Sequence, residues 1–189
     1  MQKLVVLASG SGTNFQAIIN SIKDGSIKGA AIVALIVNKS DIKVIERAKE
    51  HNIPIYILES DFENNLKIIL ERLNPDLIVL AGFLKKIPSA VIKKYPDKII
   101  NIHPSLLPKY GGKGFYGMKV HEAVIEAGDE VSGCTVHFVN EIYDAGKIID
   151  QKTVPVKSDD TPETLAARIL KQEHLLYPKV IQKLLNDKN

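Results

Sequence analysis

The chain has 189 residues, of which 45% are hydrophobic and 25% are charged. A chain of this length can fold as one domain and bury a core without disulfide bonds or a structural metal ion. Its single cysteine, Cys134, excludes a disulfide framework and a multi-cysteine metal site, and it favours a reducing compartment. We therefore expect one cytoplasmic domain over residues 1–189.

The charged residues give no sign of nucleic-acid binding. Lysine and arginine number 25 against 22 aspartate and glutamate, and the small surplus is spread along the chain rather than gathered on one face. No apolar run approaches the roughly 18 residues that a membrane span needs, and the apolar residues 4–8 are too few for a signal peptide. We expect partners that are small molecules, with neither nucleic acid nor membrane among them.

Short apolar runs alternate with amphipathic segments along the first half of the chain. Runs typical of strands buried on both faces lie at residues 4–8, 32–37, 55–58, 77–81 and 99–102. Helical spacing of apolar residues lies between them, at residues 15–22, 42–51, 62–73 and 88–94. This alternation predicts parallel βαβ units with right-handed crossovers.

Polar residues and prolines mark the ends of two of these helices. Asp41 is predicted to cap the start of the second helix, and Asn52 to end it before Pro54. Asn74 and Pro75 are predicted to end the third helix before the fourth strand begins.

The second half of the chain has a different pattern. Residues 104–117 are rich in proline, glycine, lysine and tyrosine, and so long a connection is usually functional or mobile. The predicted fold is α/β and Rossmann-like, with a mostly parallel sheet flanked by helices, a C-terminal extended pair and a long final helix. The later elements are a helix at 118–127, extended segments at 133–139 and 148–156, and the final helix after Thr161.

A loop of small residues joins the first strand to the first helix. Residues 9–14 read Ser-Gly-Ser-Gly-Thr-Asn, and backbone N–H groups at the start of a helix bind anions well. Phe15 replaces the third glycine of a dinucleotide-binding motif, and the Gly-Lys-Ser/Thr of a P-loop is missing. The loop predicts a phosphate site rather than an NAD or ATP site. The alternative is a tight turn in which Thr13 or Asn14 only caps the helix.

Asn101 and His103 follow the fifth predicted strand, at the sheet edge where open α/β proteins bind ligands. Alternate residues of an extended chain point to the same side, so the amide and the imidazole can meet at one oxygen atom and stabilise an oxyanion. The alternative is that both residues only end the strand. Asp144 would complete the group if its turn folds back, because a carboxylate raises the pKa of a nearby imidazole; otherwise it only forms the turn.

The other histidines and the cysteine give weaker signals. His51, His121 and His174 lie in helical segments without ligand spacing, so we expect surface or helix-end positions for them. His137 lies in an extended segment and is predicted to be a hydrogen-bonded core residue. Cys134 has no evident cation nearby to activate its thiol. We predict neither a metal site nor a nucleophilic serine or cysteine.

Residues 9–14, 101–108 and 133–139, together with Asp144, resemble the phosphoribosylglycinamide formyltransferases. The resemblance covers almost the whole chain and includes a Gln-Glu-His-x-x-Tyr-Pro segment at 172–178. It implies transfer of a formyl group from the co-substrate 10-formyltetrahydrofolate to the amine of 5-phosphoribosylglycinamide (GAR), in purine biosynthesis and without a metal.

The resemblance also implies the formyltransferase fold, with different roles for its two halves. Residues 1–102 would form the phosphate-binding half. Residues 103–189 would supply the catalytic loop, the folate-side strands and the final helix. The oligomeric state, monomer or homodimer, does not follow from the sequence.

Individual residues receive roles from the same resemblance. Asp144 would keep His103 protonated, so that His103 and Asn101 stabilise the oxyanion of the tetrahedral intermediate. Because the attacking amine must be unprotonated, this scheme places the pH optimum above neutrality. The catalytic residues would be Asn101, His103 and Asp144; GAR would be bound by Gly12, Thr13, Asn14 and Glu173, and folate by Leu84, Lys85, Lys86, Ile87 and Asn101.

The sequence departs from the family pattern in three places. Residues 63–65 read Glu-Asn-Asn where members often carry a basic residue near the start of the third helix. The loop at 109–117 is longer and richer in glycine, so Lys109 or Lys113 could supply the missing cation. The folate loop carries two lysines where an arginine is common, which removes a planar fork of donors.

Three other functions stay open at this point. The chain could formylate another amine, hydrolyse formyltetrahydrofolate, or act as a phosphosugar or folate sensor without catalysis. We expect neither the basic C-terminal module of a tRNA-directed enzyme nor the regulatory N-terminal module of a hydrolase. A sensor needs no oxyanion donors, so Asn101 and His103 favour an enzyme.

Overall fold

The computed structural model describes residues 1–187, so the last two residues of the predicted 1–189 domain lie outside the described part. Its strands, β1 to β7 in chain order, are Gln2–Ala8, Ala30–Val37, Ile55–Ile57, Leu77–Leu80, Ile99–His103, Val131–Phe138 and Ile148–Pro155. They form one seven-stranded sheet in the order β3-β2-β1-β4-β5-β6-β7.

The sheet changes direction after β5. Strands β1 to β5 pair in parallel, whereas β6 pairs antiparallel with β5 and β7 antiparallel with β6. The structure therefore confirms the mostly parallel α/β sheet and its C-terminal extended pair.

Six helices of the described chain flank this sheet, and the last of them is the long helix that the sequence predicts. None of the helices in residues 1–187 is both long and apolar enough to span a membrane. Helices α1 to α6 are Thr13–Lys23, Val44–Glu50, Phe62–Leu73, Ser89–Lys94, Met118–Glu126 and Pro162–Asn186.

The helix ends confirm two predictions and correct one. Asn52 and Asn74 adopt left-handed backbone conformations, with φ of 53° and 45°, where α2 and α3 end. Asp41 does not cap α2, because the helix starts at Val44 and no side chain caps it. The Val44 N–H instead donates to the carbonyl of Gly10 at 3.2 Å, a contact between distant loops that local sequence cannot predict.

Alternate residues of the central strand β1 enter two separate apolar layers, as the two-residue period of a strand requires. Leu4 and Val6 pack in the layer that α1, α5 and α6 cover. Val5 and Leu7 pack in the layer that α3 and α4 cover. Because β1 is buried on both faces, its carboxyl end is a rigid support for the loop that follows it.

Helix α6 is tied to the sheet at the ends of β4 and β5. The Tyr177 side chain is fully buried, and its hydroxyl lies 2.9 Å from the Leu80 carbonyl and 3.1 Å from the Ile100 carbonyl. Leu80 ends β4, and Ile100 directly precedes Asn101. The hydroxyl therefore links α6 to the strand ends that carry the predicted catalytic residues.

We predict that Tyr177→Phe destabilises the protein by about 1–2 kcal/mol, because it leaves a buried hydrogen-bonding position unfilled. Urea unfolding measures this loss, and Tyr56→Phe, at a half-exposed position, is the control and should change stability by less than about 0.5 kcal/mol. Equal effects of the two variants would contradict the prediction.

Candidate active site

A cavity of about 690 Å³ opens where the parallel strands end. This is the edge of an open α/β sheet at which ligands bind. Its wall includes residues 9–14 after β1, residues 112–117, and side chains of β5, α5 and α6. The predicted phosphate loop and the predicted catalytic residues thus line the same cavity.

The phosphate loop leads into α1 without a side-chain cap. Gly12 is the N-cap residue in a left-handed conformation, φ 74°, and neither Thr13 nor Asn14 caps the helix. A side chain at position 12 would overlap that of Val44, so only glycine fits there. The helix cap by Thr13 or Asn14 that the alternative assumed is absent, and the loop at the start of α1 lines the cavity, so phosphate binding there stays a prediction.

Three contacts that the sequence did not predict hold this loop in place. The Ser9 hydroxyl donates to Asn38 Oδ1 at 2.8 Å and accepts from the Leu84 N–H at 3.0 Å. Arg47 Nε donates to the Ser11 carbonyl at 2.9 Å. Asn38 follows β2 and Arg47 lies on α2, so neighbouring parts of the sheet edge position the loop.

Asn14 and Glu173 meet below this loop. Asn14 Nδ2 donates to Glu173 Oε2 at 2.7 Å, and both side chains are buried. Burial raises the pKa of Glu173, although the hydrogen bond from Asn14 opposes the rise. Asn14 Oδ1 is buried without a hydrogen-bond partner in the described chain. Two acceptors at one cavity wall suit a ligand that donates hydrogen bonds, such as an amine.

The structure brings Asp144 from its distant turn to His103. The two side chains are 3.6 Å apart, between Asp144 Oδ2 and His103 Nδ1. The other ring nitrogen, Nε2, lies 2.7 Å from the Tyr110 carbonyl, so it must carry a hydrogen. Asp144 Oδ2 also accepts from the Gly112 N–H at 2.9 Å.

The pKa of His103 moves opposite to the sequence-based expectation. Burial lowers it, and this effect outweighs the opposing effects of Asp144 and the Tyr110 carbonyl. Burial alone would raise the pKa of Asp144, but the His137 and His103 rings and the Gly112 N–H together lower it. Burial therefore opposes protonation of His103, whereas the acceptors at its two ring nitrogens, the Tyr110 carbonyl and Asp144, favour it. That Asp144 keeps His103 protonated stays a prediction.

His137 is a buried and hydrogen-bonded residue, as predicted, but it also belongs to the site. Its Nε2 lies 3.1 Å from Asn101 Nδ2 and 3.6 Å from Asp144 Oδ1. Strand pairing explains its position, because His137 is the partner of Asn101 in the β5–β6 register. The sequence predicts an extended segment that contains His137, but it does not predict that this segment pairs with β5.

The expected surface position is wrong for His121 and holds for His51. His121 is only 5% exposed, lies on the inner face of α5 and lines the cavity. Burial lowers its pKa. His51 lies at the end of α2. His174 is half-buried in the middle of α6, so it is neither a surface nor a helix-end residue.

Residues 2–181 match the model of the formyl transferase family. The chain belongs to this family. It is 43% identical over 189 residues to the phosphoribosylglycinamide formyltransferase of Haemophilus influenzae, covering 96% of this chain and 86% of the relative. Its structure matches the phosphoribosylglycinamide formyltransferase of Bacillus halodurans with a TM-score of 0.91 and 37% identity, covering 100% of this chain and 97% of the other. The resemblance to these enzymes is confirmed.

A chloroplastic phosphoribosylglycinamide formyltransferase from Arabidopsis thaliana shows the same similarity over part of its length. It is 45% identical over 188 residues, which are 95% of this chain but 64% of the plant protein. The chain thus spans less than two thirds of this plant relative.

The segment that would bind folate in a formyl transferase borders a second, smaller cavity of about 70 Å³. Lys85, Lys86 and Ile87 line one side of it. Asn101 and Asp144 line both cavities, so these two predicted catalytic residues lie where the cavities meet. Leu84 lines the large cavity instead.

The two lysines of this formyl transferase segment each contact an aromatic ring. Lys85 Nζ lies 4.4 Å from the centre of the Phe62 ring, and Lys86 Nζ lies 5.8 Å from that of Tyr143. These contacts hold both ammonium groups at the rim of the smaller cavity.

The structure distinguishes the two lysines that could replace the cation missing from the family pattern. Lys109 Nζ lies 3.1 Å from both carboxylate oxygens of Asp129, so its charge is already paired. Lys113 lines the large cavity. At the position of the missing basic residue, Asn64 Nδ2 donates to the Asp61 carboxylate at 2.9 Å. Lys113 is therefore the better candidate to face a bound anion.

We predict that the protein loses stability below about pH 6.5, because the buried rings of His103 and His121 have lowered pKa values. The unfolded chain then binds more protons than the folded one, so protonation favours unfolding. The midpoint of urea unfolding should fall between about pH 7.5 and about pH 5.5, and should fall less in His121→Phe. A variant with the same pH dependence as the wild type would disprove the role of His121.

Proposed function

We propose that this protein transfers the formyl group of 10-formyltetrahydrofolate to the amine of GAR, giving formyl-GAR and tetrahydrofolate in purine biosynthesis. The observation that carries the proposal is the position of Asn101 and Asp144 at the junction of the two cavities, with His103 beside Asp144 on the wall of the large one. A formyl carbon beside these residues is accessible to an amine from the large cavity and to folate from the small one. The names of the two bacterial relatives support this assignment.

GAR would occupy the large cavity. Its phosphate would bind at residues 9–14, where the start of α1 presents N–H groups and positive helix-dipole charge. Lys113 would add a positive charge on the opposite wall. The glycinamide end would donate hydrogen bonds to Glu173 and to Asn14 Oδ1, which lacks another partner in the described chain.

The pterin of the folate would enter the small cavity between Ile87 and the turn that carries Asp144. The main chain of Lys85 and Lys86 would then run beside it, since their ammonium groups lie on aromatic rings. This places the formyl-bearing nitrogen of the folate next to Asn101.

In the proposed reaction, the amine nitrogen forms a bond to the formyl carbon, and the carbonyl oxygen becomes negative. Asn101 Nδ2 would donate to this oxyanion, since preorganised donors in a dry site stabilise developing charge. The negative oxygen also raises the proton affinity of His103. His103 can then hold the proton that the attacking nitrogen loses, with Asp144 stabilising the imidazolium. The oxyanion then returns to a carbonyl, the bond between the formyl carbon and the folate nitrogen breaks, and that nitrogen takes the proton from His103.

Cys134 would have no part in this chemistry. Burial raises the pKa of its thiol to about 12, so it stays protonated and unreactive. A single unpaired cysteine fits a reducing compartment, which supports our proposal that the enzyme works in the cytoplasm.

The purified protein should form formyl-GAR from 10-formyltetrahydrofolate and GAR, and should release formate only slowly when water is the sole acceptor. We predict that Asn101→Ala and His103→Ala each lower kcat by about 100- to 1000-fold, because each loses a group beside the oxyanion. His51→Gln, outside both cavities, is the matched control and should keep wild-type activity. Rapid formate release without formyl-GAR would instead identify a hydrolase.

Asp144→Asn should lower kcat and shift the acidic limb of its pH profile to lower pH. The charge of Asp144 raises the pKa of His103, so its removal lets burial lower that pKa further. His103 then becomes protonated, and inactive as a proton acceptor, only at lower pH. A profile that coincides with the wild-type profile would show that the two residues do not act as a pair.

Lys113→Ala should raise the KM for GAR by roughly tenfold and leave the KM for folate unchanged, since the lost contact is to an anionic group. Lys109→Ala is the control, because the Lys109 ammonium is paired with Asp129. Steady-state kinetics with each substrate varied in turn measures both effects. If both lysine variants have wild-type KM values, Lys113 does not bind the phosphate.

A further inference from the structure

His137 lies beside Asn101 on the neighbouring strand, and we propose that it is a positioning residue that sets the orientation of the Asn101 carboxamide. The inference rests on the proposed function, because it concerns the amide that would donate to the oxyanion. His137 is only 2% exposed and lines the small cavity beside Asn101, through which it would act.

The register of the sheet places the two side chains together. β5 and β6 pair antiparallel, with Asn101 opposite His137 and His103 opposite Thr135. Residues directly opposite each other in such a pair project from the same face with neighbouring Cβ atoms. The backbone therefore fixes His137 next to Asn101 before any side-chain contact forms.

The hydrogen bonds of the His137 ring define which nitrogen donates. Nδ1 lies 2.9 Å from the Phe138 carbonyl, and a carbonyl can only accept, so Nδ1 carries a hydrogen. In the neutral ring, Nε2 is then an acceptor, and it lies 3.1 Å from Asn101 Nδ2. Asp144 Oδ1, at 3.6 Å, is too distant for a hydrogen bond. The Asn101 amide therefore donates to His137.

This hydrogen bond decides which end of the carboxamide faces the reaction. A carboxamide that turns over exchanges its oxygen and its NH₂ group. With one hydrogen on His137, Asn101 Nδ2 keeps its second hydrogen for the formyl oxygen. In the reversed orientation, Asn101 Oδ1 would face His137 Nε2, acceptor against acceptor, and the oxyanion would lose its donor.

Two substitutions separate the hydrogen bond from the volume of the ring. His137→Leu removes the acceptor, whereas the oxygen of His137→Gln can reach the position of Nε2. We expect the leucine variant to lower kcat by about 10- to 100-fold, with both KM values within about threefold of wild type, and the glutamine variant to restore most of the loss. Equal losses in the two variants, or an unchanged kcat in the leucine variant, would overturn the proposal.

The same substitution in an Asn101→Ala background tests whether His137 acts through Asn101. Once the carboxamide is gone, His137→Leu should lower kcat by less than about twofold further, because the residue it orients is missing. A merely structural role would give the same loss in both backgrounds, and that result would refute the inference.

A measurement that needs no turnover keeps the inference separate from the proposed function. The side-chain NH₂ signals of Asn101 in a ¹⁵N-resolved NMR spectrum can be assigned because they disappear in Asn101→Ala. One of their hydrogens should be shifted and slow to exchange in the wild type and in His137→Gln, but not in His137→Leu. Signals that are the same in all three would disprove the hydrogen bond. A wild-type protein without formyl transfer but with the expected signals would refute only the proposed reaction.

Discussion

The antiparallel pairing of β6 with β5 is the constraint on which the site depends. The five strands before it are parallel, and the loops that follow them lie at one edge of the sheet. These strands and loops contain only some of the predicted catalytic residues. Strand β6 returns along β5, places His137 opposite Asn101 and leads into the turn that carries Asp144. Thr135, opposite His103, holds the loop that follows β5 against β6. Its hydroxyl donates to the Ser105 carbonyl at 2.7 Å and accepts from the Leu107 N–H at 3.1 Å.

Burial determines the electrostatics of this group. Asp144 lies 3.6 Å from both the His103 ring and the His137 ring, and the three side chains are largely excluded from water. In such surroundings burial lowers the pKa of His103 more than the adjacent carboxylate raises it, so an imidazolium is less stable in the resting site than in water. Negative charge that develops on a bound substrate would supply the missing stabilisation. The site is thus better matched to a charged intermediate than to its own empty state, as catalysis requires.

Features that depend on local pattern could be predicted from the sequence, and features that depend on distant contacts could not. The five parallel strands and the 62–73 helix follow from the spacing of apolar residues, and Asn52 and Asn74 end helices because asparagine tolerates a left-handed backbone. Asp41 was wrong as a cap because α2 starts at Val44, whose N–H donates to the Gly10 carbonyl. His121 was misplaced because only the packing of α5 shows which face is buried.

The same distinction holds within the site. Asn101 and His103 could be paired from the period of a strand; Asp144 was a possible partner on its charge, and the resemblance favoured it over a residue that only forms the turn. The lowered pKa of His103 and the presence of His137 could not be predicted, because the first depends on burial and the second on strand register. Both are properties of the folded chain rather than of any segment.

Tyr110 and Gly112, at the start of the glycine-rich segment after β5, are hydrogen-bonded to His103 and Asp144. The Tyr110 carbonyl accepts from His103, the Tyr110 hydroxyl donates to Asp129 at 2.9 Å, and the Gly112 N–H donates to Asp144. A ligand that displaces residues 110–112 therefore alters how tightly His103 holds a proton. By thermodynamic reciprocity, uptake of that proton alters the affinity for the ligand to the same extent, so occupancy of the cleft and ionisation of the imidazole are one coupled equilibrium.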